Sequence, residues 1–213
     1  VKRYIWIIIV FFLSLSVHVY SIEFFINTKD GIGVCGNYNN VSYTIGYPYS
    51  EIGLEFPVGN EKNFFVAIFG GADLLNNITQ ASFNISFKAE NFKLSIPFII
   101  STKPPLSNEA SEVGRVYVGI VPSLAVFKNL EIEFSNYYSW IYLWYDPAFE
   151  VNIPSIRSDD VFRSKLGFKV SYVLDSLSFG MGYNMLIKWL SYRSSFISKD
   201  DALYFEAKFK VKF

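Results

Sequence analysis

Histidine and cysteine are almost missing from this 213-residue chain, which has one of each, His18 and Cys35. A lone thiol excludes a disulfide within the chain, and a lone cysteine of this kind reads as a small buried residue. Charge is scarce too. Only 18% of residues are charged, below the roughly 25% of soluble domains. The formal net charge is zero, so no basic face advertises nucleic acid. Disorder is excluded by the opposite excess, since 51% of residues are hydrophobic and 19% aromatic. Helical periodicity is also missing beyond the first twenty residues.

The amino terminus has its own character. Lys2 and Arg3 precede an apolar run from Tyr4 to Leu13, followed by Ser14, Ser16 and His18. A positive start and a short apolar stretch are the pattern of a secretory leader. The run is shorter than the roughly 20 apolar residues of a membrane-spanning helix. Val19 and Ser21 suit the small-residue positions of a cleavage site, so residues 1–21 are expected to be a signal peptide and 22–213 the mature domain. Cleavage removes Lys2 and Arg3 from the nineteen basic residues, leaving seventeen against nineteen acidic ones, a formal charge of −2. It also removes the only histidine. Ser–His–Asp and Cys–His catalysis and histidine-ligated metal are then unavailable. Asp159–Asp160 and Asp200–Asp201 sit at loop–strand junctions and read as solvated turn residues. The sequence therefore predicts no catalytic, cofactor or metal site and no enzyme.

What the chain has in quantity is alternation. Ala81, Phe83, Ile85, Phe87 and Ala89 occupy one face of a period-two segment, with Gln80, Ser82, Asn84, Ser86 and Lys88 on the other. The same rhythm runs through 92–98, 116–126, 130–144, 162–174, 177–189 and 202–213. Earlier, Val41 to Tyr47 and Ile52 to Val58 alternate out of phase, with a turn or a bulge between them at 48–50. Glu90–Asn91, Lys128–Asn129 and Asp175–Ser176 are tight hairpin turns. They alternate with long polar links at 102–112, 146–160 and 191–200. About ten antiparallel strands are expected, with eight as the alternative. Short connections fall at one end and long ones at the other. Pro57, Pro97 and Pro122 lie within proposed strands and call for bulges or shorter strands.

Alternation fits a soluble barrel with an apolar inside or a membrane barrel with an apolar outside. Four features favour the second. The face opposite the apolar one is small or charged: Ser178, Gly180, Gly182, Asn184 and Lys188 on one segment, Arg163, Lys165, Gly167, Lys169 and Ser171 on another, Glu131, Glu133, Ser135, Tyr137 and Ser139 on a third. The segments reach the roughly 9–11 residues that a tilted strand needs to cross a bilayer. Tyr138, Trp140, Tyr142 and Trp144 share a face toward the long-loop end, with Trp189 and Tyr192 at the same level, as a boundary girdle would. Loop lengths are asymmetric.

The last residues carry a resemblance. Phe205, Ala207, Phe209, Val211 and Phe213 alternate with Glu206, Lys208, Lys210 and Lys212 up to a final phenylalanine. With the leader and the repeated alternation, the chain resembles the bacterial outer-membrane β-barrel class, small porin-like or adhesin-like barrels included. That resemblance implies a closed up-and-down transmembrane β-barrel in the outer membrane of a diderm bacterium. It implies that the barrel-assembly machinery reads the last strand, and that both termini lie at the periplasmic face. Glu131, Glu133, Arg163, Lys165, Lys169, Glu206, Lys208 and Lys210 are expected to form one charge network inside. For about ten strands this network plugs the lumen, leaving a structural or surface-interaction role with an external partner at the three long loops. A narrow channel for ions or small solutes is the alternative. A soluble, lipocalin-like binder of a lipophilic ligand is the second alternative, and it requires Phe179, Phe205 and Phe209 to point inward.

Overall fold

The computed structural model describes residues 21–28, 31–59, 63–105, 109–148, 154–190 and 193–212, with side chains at all of these save 21, 159–162, 186–190, 193–202 and 212. Most of the expected leader, Tyr192 and Phe213, and the side chain of Trp189, lie outside them. Every regular element among the described residues is a strand: β1 (Ser21–Asn27), β2 (Gly31–Tyr38), β3 (Val41–Val58), β4 (Phe64–Asp73), β5 (Ile78–Lys88), β6 (Phe92–Thr102), β7 (Ser111–Phe127), β8 (Leu130–Tyr145), β9 (Ser155–Leu174), β10 (Leu177–Leu190) and β11 (Arg193–Lys212). Each pairs with its chain neighbours, and β1 pairs with β11 from Ser21↔Lys212 to Asn27↔Glu206, so the sheet closes. All pairings are antiparallel.

An odd ring cannot be antiparallel at every joint, because direction must alternate all the way round. The resolution lies in β3. Its residues 41–48 pair only with β2, and its residues 49–58 pair only with β4. Glu55 N donates to Asn40 O at 2.7 Å, bringing the two ends of the element together. Ser50 Oγ lies 3.2 Å from Gly46 N and 3.1 Å from Gly46 O. The element therefore doubles back at Tyr47–Pro48 as a tight hairpin. Ten single strands and the two arms of β3 make twelve staves. The phase break around Pro48 is thus a turn, and the expected ten strands become twelve because the short amino-terminal segments all take part.

The outside is apolar. Phe24, Ile68, Phe98, Phe134, Met181, Phe205 and Phe209 are each 41–58% exposed. Phe179 is 50% exposed, which removes the soluble-binder alternative. Leaving one such side chain in water forfeits about 1.5–3 kcal/mol, and every strand carries several, so the surface requires hydrocarbon around it. The inside is polar. Asn27, Ser86, Ser95, Arg115, Ser123 and Ser139 are buried there. Interior glycines have a role beyond making room for charged chains. An added Cβ at Gly53 would lie 2.0 Å from the Phe69 ring, at Gly119 2.6 Å from Tyr137, and at Gly182 2.3 Å from Tyr204. Each aromatic is the residue paired with or next to that glycine on the neighbouring strand, and its ring folds back over the bare backbone. Large side chains thus lie against the wall and not across the lumen. The three prolines sit inside strands without moving the register. At Pro97 and Pro122 the ladders omit rungs, between Ser95↔Val121 and Phe98↔Val118 and between Ile120↔Asn136 and Ser123↔Glu133.

One end of the barrel carries β1's start and β11's end, with the turns at 39–40, 89–91, 128–129 and 175–176; this is the near end. The far end carries the connections at 47–48, 74–77, 103–110 and 146–154. Strand height grows round the ring, from 7 residues in β1 and 8 in β2 to 20 in β9 and in β11. The long strands absorb much of the expected loops. Residues 111–112 belong to β7, 155–160 to β9 and 193–200 to β11.

Candidate functional site: a charged lumen

Among the described residues the interior charges meet in four groups. At mid-height Lys169 Nζ donates to Glu206 Oε1 at 2.7 Å, Lys208 Nζ lies 3.4 Å from the same oxygen, and Asn27 Nδ2 donates to Glu206 Oε2 at 3.3 Å. Nearer the termini Lys210 Nζ donates to Glu23 Oε1 at 3.0 Å. On the opposite wall Lys88 pairs with Glu55 at 2.9 Å and sits 3.9 Å from the centre of the Phe65 ring. Period two accounts for the placement. Glu206, Lys208 and Lys210 take alternate positions on β11, and β1 presents Glu23 directly opposite Lys210. The expected single network is therefore divided. Glu133 lies opposite Lys169 on the β8–β9 ladder. Glu131 accepts a hydrogen bond from Ser123 Oγ. Lys165 Nζ stands 4.3 Å above the Tyr117 ring.

The fourth group, near the far end, was not foreseen. Glu112 receives Arg115 through Nε at 2.8 Å and Nη2 at 2.9 Å, and Arg163 through Nη1 and Nη2 at 3.3 Å each. Glu112 and Arg115 are three apart, which on a regular strand puts them on opposite faces. The register shift between Glu112 and Gly114 brings them to one side. Sequence reading left Glu112 in a loop and had no signal for this irregularity. A second shift, in β8 and β9 between Ser139 and Ile141, corrects the aromatic girdle. Tyr138 and Trp140 remain outside, with Trp140 44% exposed. Beyond the shift the faces exchange, and Tyr142 lies opposite Arg115 on the β7–β8 ladder. Arg115 is 5.4 Å from the Tyr142 ring, Arg157 is 5.1 Å from the Trp144 ring, and the two rings meet edge to face at 6.1 Å. Tyr142 and Trp144 therefore face the lumen mouth, not lipid.

Of the carboxy-terminal residues, Phe205, Ala207, Phe209 and Val211 lie on β11, with Phe205 and Phe209 about half exposed on the outer wall (53% and 50%). On that same outer wall Ser164 Oγ donates to Asn136 Oδ1 at 2.8 Å, and Asn136 Nδ2 donates to Tyr138 Oη, a self-satisfied polar trio beside apolar neighbours.

Among the described residues two cavities lie in the lumen. The larger, about 540 Å³, is lined by Phe25, Asn27, Cys35, Tyr49, Asp73, Lys165, Glu206 and Lys208 among others. The smaller, about 140 Å³, opens at the near end between Glu23, the Asp175–Ser176 turn, Lys208 and Lys210. Lys208 lines both. Among the described residues no group of histidine, cysteine and carboxylate side chains is placed to hold a metal ion.

No protein-family model matches the chain, and no curated protein matches it. Solved structures do. The outer-membrane expressed OmpT of Vibrio cholerae is 10% identical with a TM-score of 0.46, over 84% of this chain and 64% of that one. The outer membrane channel DcaP of Acinetobacter baumannii is 11% identical with a TM-score of 0.45, over 90% and 59%. The NanC porin is 11% identical with a TM-score of 0.40, over 91% and 98%. The chain thus spans less than two thirds of the length of OmpT and of DcaP.

Proposed function

We propose that this barrel is a narrow outer-membrane channel for small hydrophilic solutes, delivered by a cleaved leader and inserted through recognition of β11 by the barrel-assembly machinery. The observation that carries the channel reading is that one side chain, Lys208, lines both lumen cavities. One is lined by residues from the far half, and the other opens at the near end. Twelve staves lie between the eight that side chains fill and the sixteen or more of wide pores. The narrow point is the level of Glu206, Lys208, Lys210 and Glu23, where fixed charges of both signs face passing solute. The aromatic–arginine cluster at the far mouth is the first surface a solute meets.

Planar-bilayer recording tests this. Refolded protein is expected to give steady unitary currents, and a small charged methanethiosulfonate is expected to reduce them by reacting with Cys35 on the cavity wall. A Cys35→Ser variant is expected to conduct and to ignore the reagent. Silent bilayers with demonstrably folded protein would defeat the proposal. They would favour the plugged barrel instead, whose role rests on its outer surface and far-end connections, a reading supported by how tightly ion pairs crowd the narrow level.

A further inference from the structure

We infer that the smaller lumen cavity is a binding site for a small zwitterion, an α-amino acid between glycine and serine in size. This rests on the channel reading and names the solute class that its narrow level takes. The argument begins with the charges on the cavity wall. Four charged side chains line it among the described residues, and they divide evenly, Lys208 and Lys210 against Glu23 and Asp175. Period two puts both lysines on the inner face of β11, about 7 Å apart along the strand. Glu23 stands opposite Lys210 on β1, and Asp175 lies on the turn between β9 and β10. Lys210 N donates to Ser176 O at 2.7 Å, which fixes β11 against that turn.

The charges are within reach of a solute. The side chains of Lys208, Lys210 and Glu23 are 32%, 37% and 31% exposed, against 12% for Glu206. They are also already partnered, Lys210 with Glu23 at 3.0 Å and Lys208 with Glu206 at 3.4 Å. A lone anion that draws the lysines away strands the carboxylates, and a partly buried charge without its partner is costly. A lone cation does the same to the lysines. A zwitterion does neither. Its carboxylate accepts from Lys208 and Lys210 while its ammonium donates to Glu23 and Asp175, so opposite charges stay paired through the exchange.

Volume sets the upper limit. The cavity measures about 140 Å³. One of about 150 Å³ holds a benzene, about six non-hydrogen atoms. Alanine matches that count. Lys208 also lines the larger cavity beside Glu206, so the next station on the path again offers a cation and a carboxylate.

Four near-isosteric solutes test the site at neutral pH: alanine, lactate, alaninamide and lactamide, which are zwitterion, anion, cation and uncharged. Their entry into proteoliposomes is followed by swelling, with protein-free liposomes subtracted. Alanine is expected to enter about tenfold faster than the other three, the scale of one hydrogen bond to a charged group. Glu23→Gln should turn the preference toward lactate, and Lys210→Gln toward alaninamide, opposite shifts that a loss of structure does not give. Asp175→Asn, on an exposed turn, repeats the first shift should Glu23→Gln not fold. If lactamide enters as fast as alanine, or if the variants leave the preference unchanged, the zwitterion site is refuted and the channel stands. If no solute enters, the channel reading falls, and calorimetric titration of alanine into folded protein in detergent decides the site. Saturable heat that Glu23→Gln or Asp175→Asn abolishes upholds it, and an absence of heat refutes it.

Discussion

Replacing Glu206 by glutamine tests whether the mid-lumen charges hold the barrel together. The substitution keeps shape and one acceptor but leaves Lys169 and Lys208 facing each other without their shared carboxylate. At an effective dielectric of about 20, contacts of 2.7 and 3.4 Å carry roughly 6 and 5 kcal/mol of attraction before solvation is counted. Most of that is offset by desolvation. The Glu206 side chain is 12% exposed, Lys169 21% and Lys208 32%, so water screens the lysines more than the carboxylate. Removing one partner of a buried pair costs about 3–5 kcal/mol, and partial hydration brings the expectation to about 2–3 kcal/mol. That is a roughly 30- to 160-fold fall in the folded-to-unfolded ratio. Urea titration in lipid vesicles, with folded protein scored by its faster migration on unboiled gels, measures it. Lys169→Met added to Glu206→Gln should restore part of the loss, because one stranded cation is then gone. A loss under about 0.5 kcal/mol, or strict additivity of the two changes, would refute the idea that this cluster is a coupled structural unit.

Four further outcomes follow from the same geometry. Met181→Arg should destabilise by about 2–4 kcal/mol in lipid, as for a cation at the bilayer midplane, and a shift near zero in the same urea titration would mean that this face meets water. Gly119→Val should push the Tyr137 ring off the wall, costing about 1–3 kcal/mol and lowering unitary conductance; unchanged conductance would place that ring elsewhere. A Gly-Ser-Gly-Ser insertion between Tyr47 and Pro48 should cost under about 1 kcal/mol, as lengthening a turn does, whereas a single straight β3 would lose its folded gel mobility. Asn136→Leu removes the acceptor of the Ser164 hydroxyl on the outer wall and should cost about 1–3 kcal/mol, and adding Ser164→Ala should recover some of it.

The sequence disclosed the parts of the fold that depend on period two alone. β5, β6, residues 177–184 of β10 and the end of β11 pair without a register shift, so counting alternate residues places Phe83, Phe98, Phe179 and Phe209 outside, where they are found. The errors fall where a strand changes phase. Nothing in the residues around Val113 or Trp140 announces an extra residue, because a bulge is chosen by the fit of two strands and not by local composition. Missing the first hid the Glu112–Arg115–Arg163 group, and missing the second put Tyr142 and Trp144 on the wrong wall. Glycine was visible, but its partner was not. That Gly182 lies opposite Tyr204 is a fact of register between two residues more than twenty positions apart in the chain.

A closed antiparallel sheet needs an even number of members, and this chain reaches it by folding β3 over a two-residue turn. β1, β2 and the first arm of β3 are brief, while β9 and β11 run to twenty residues. The seam joins the shortest strand to one of the longest, and among the described residues its hydrogen bonds reach Thr28 and Phe205.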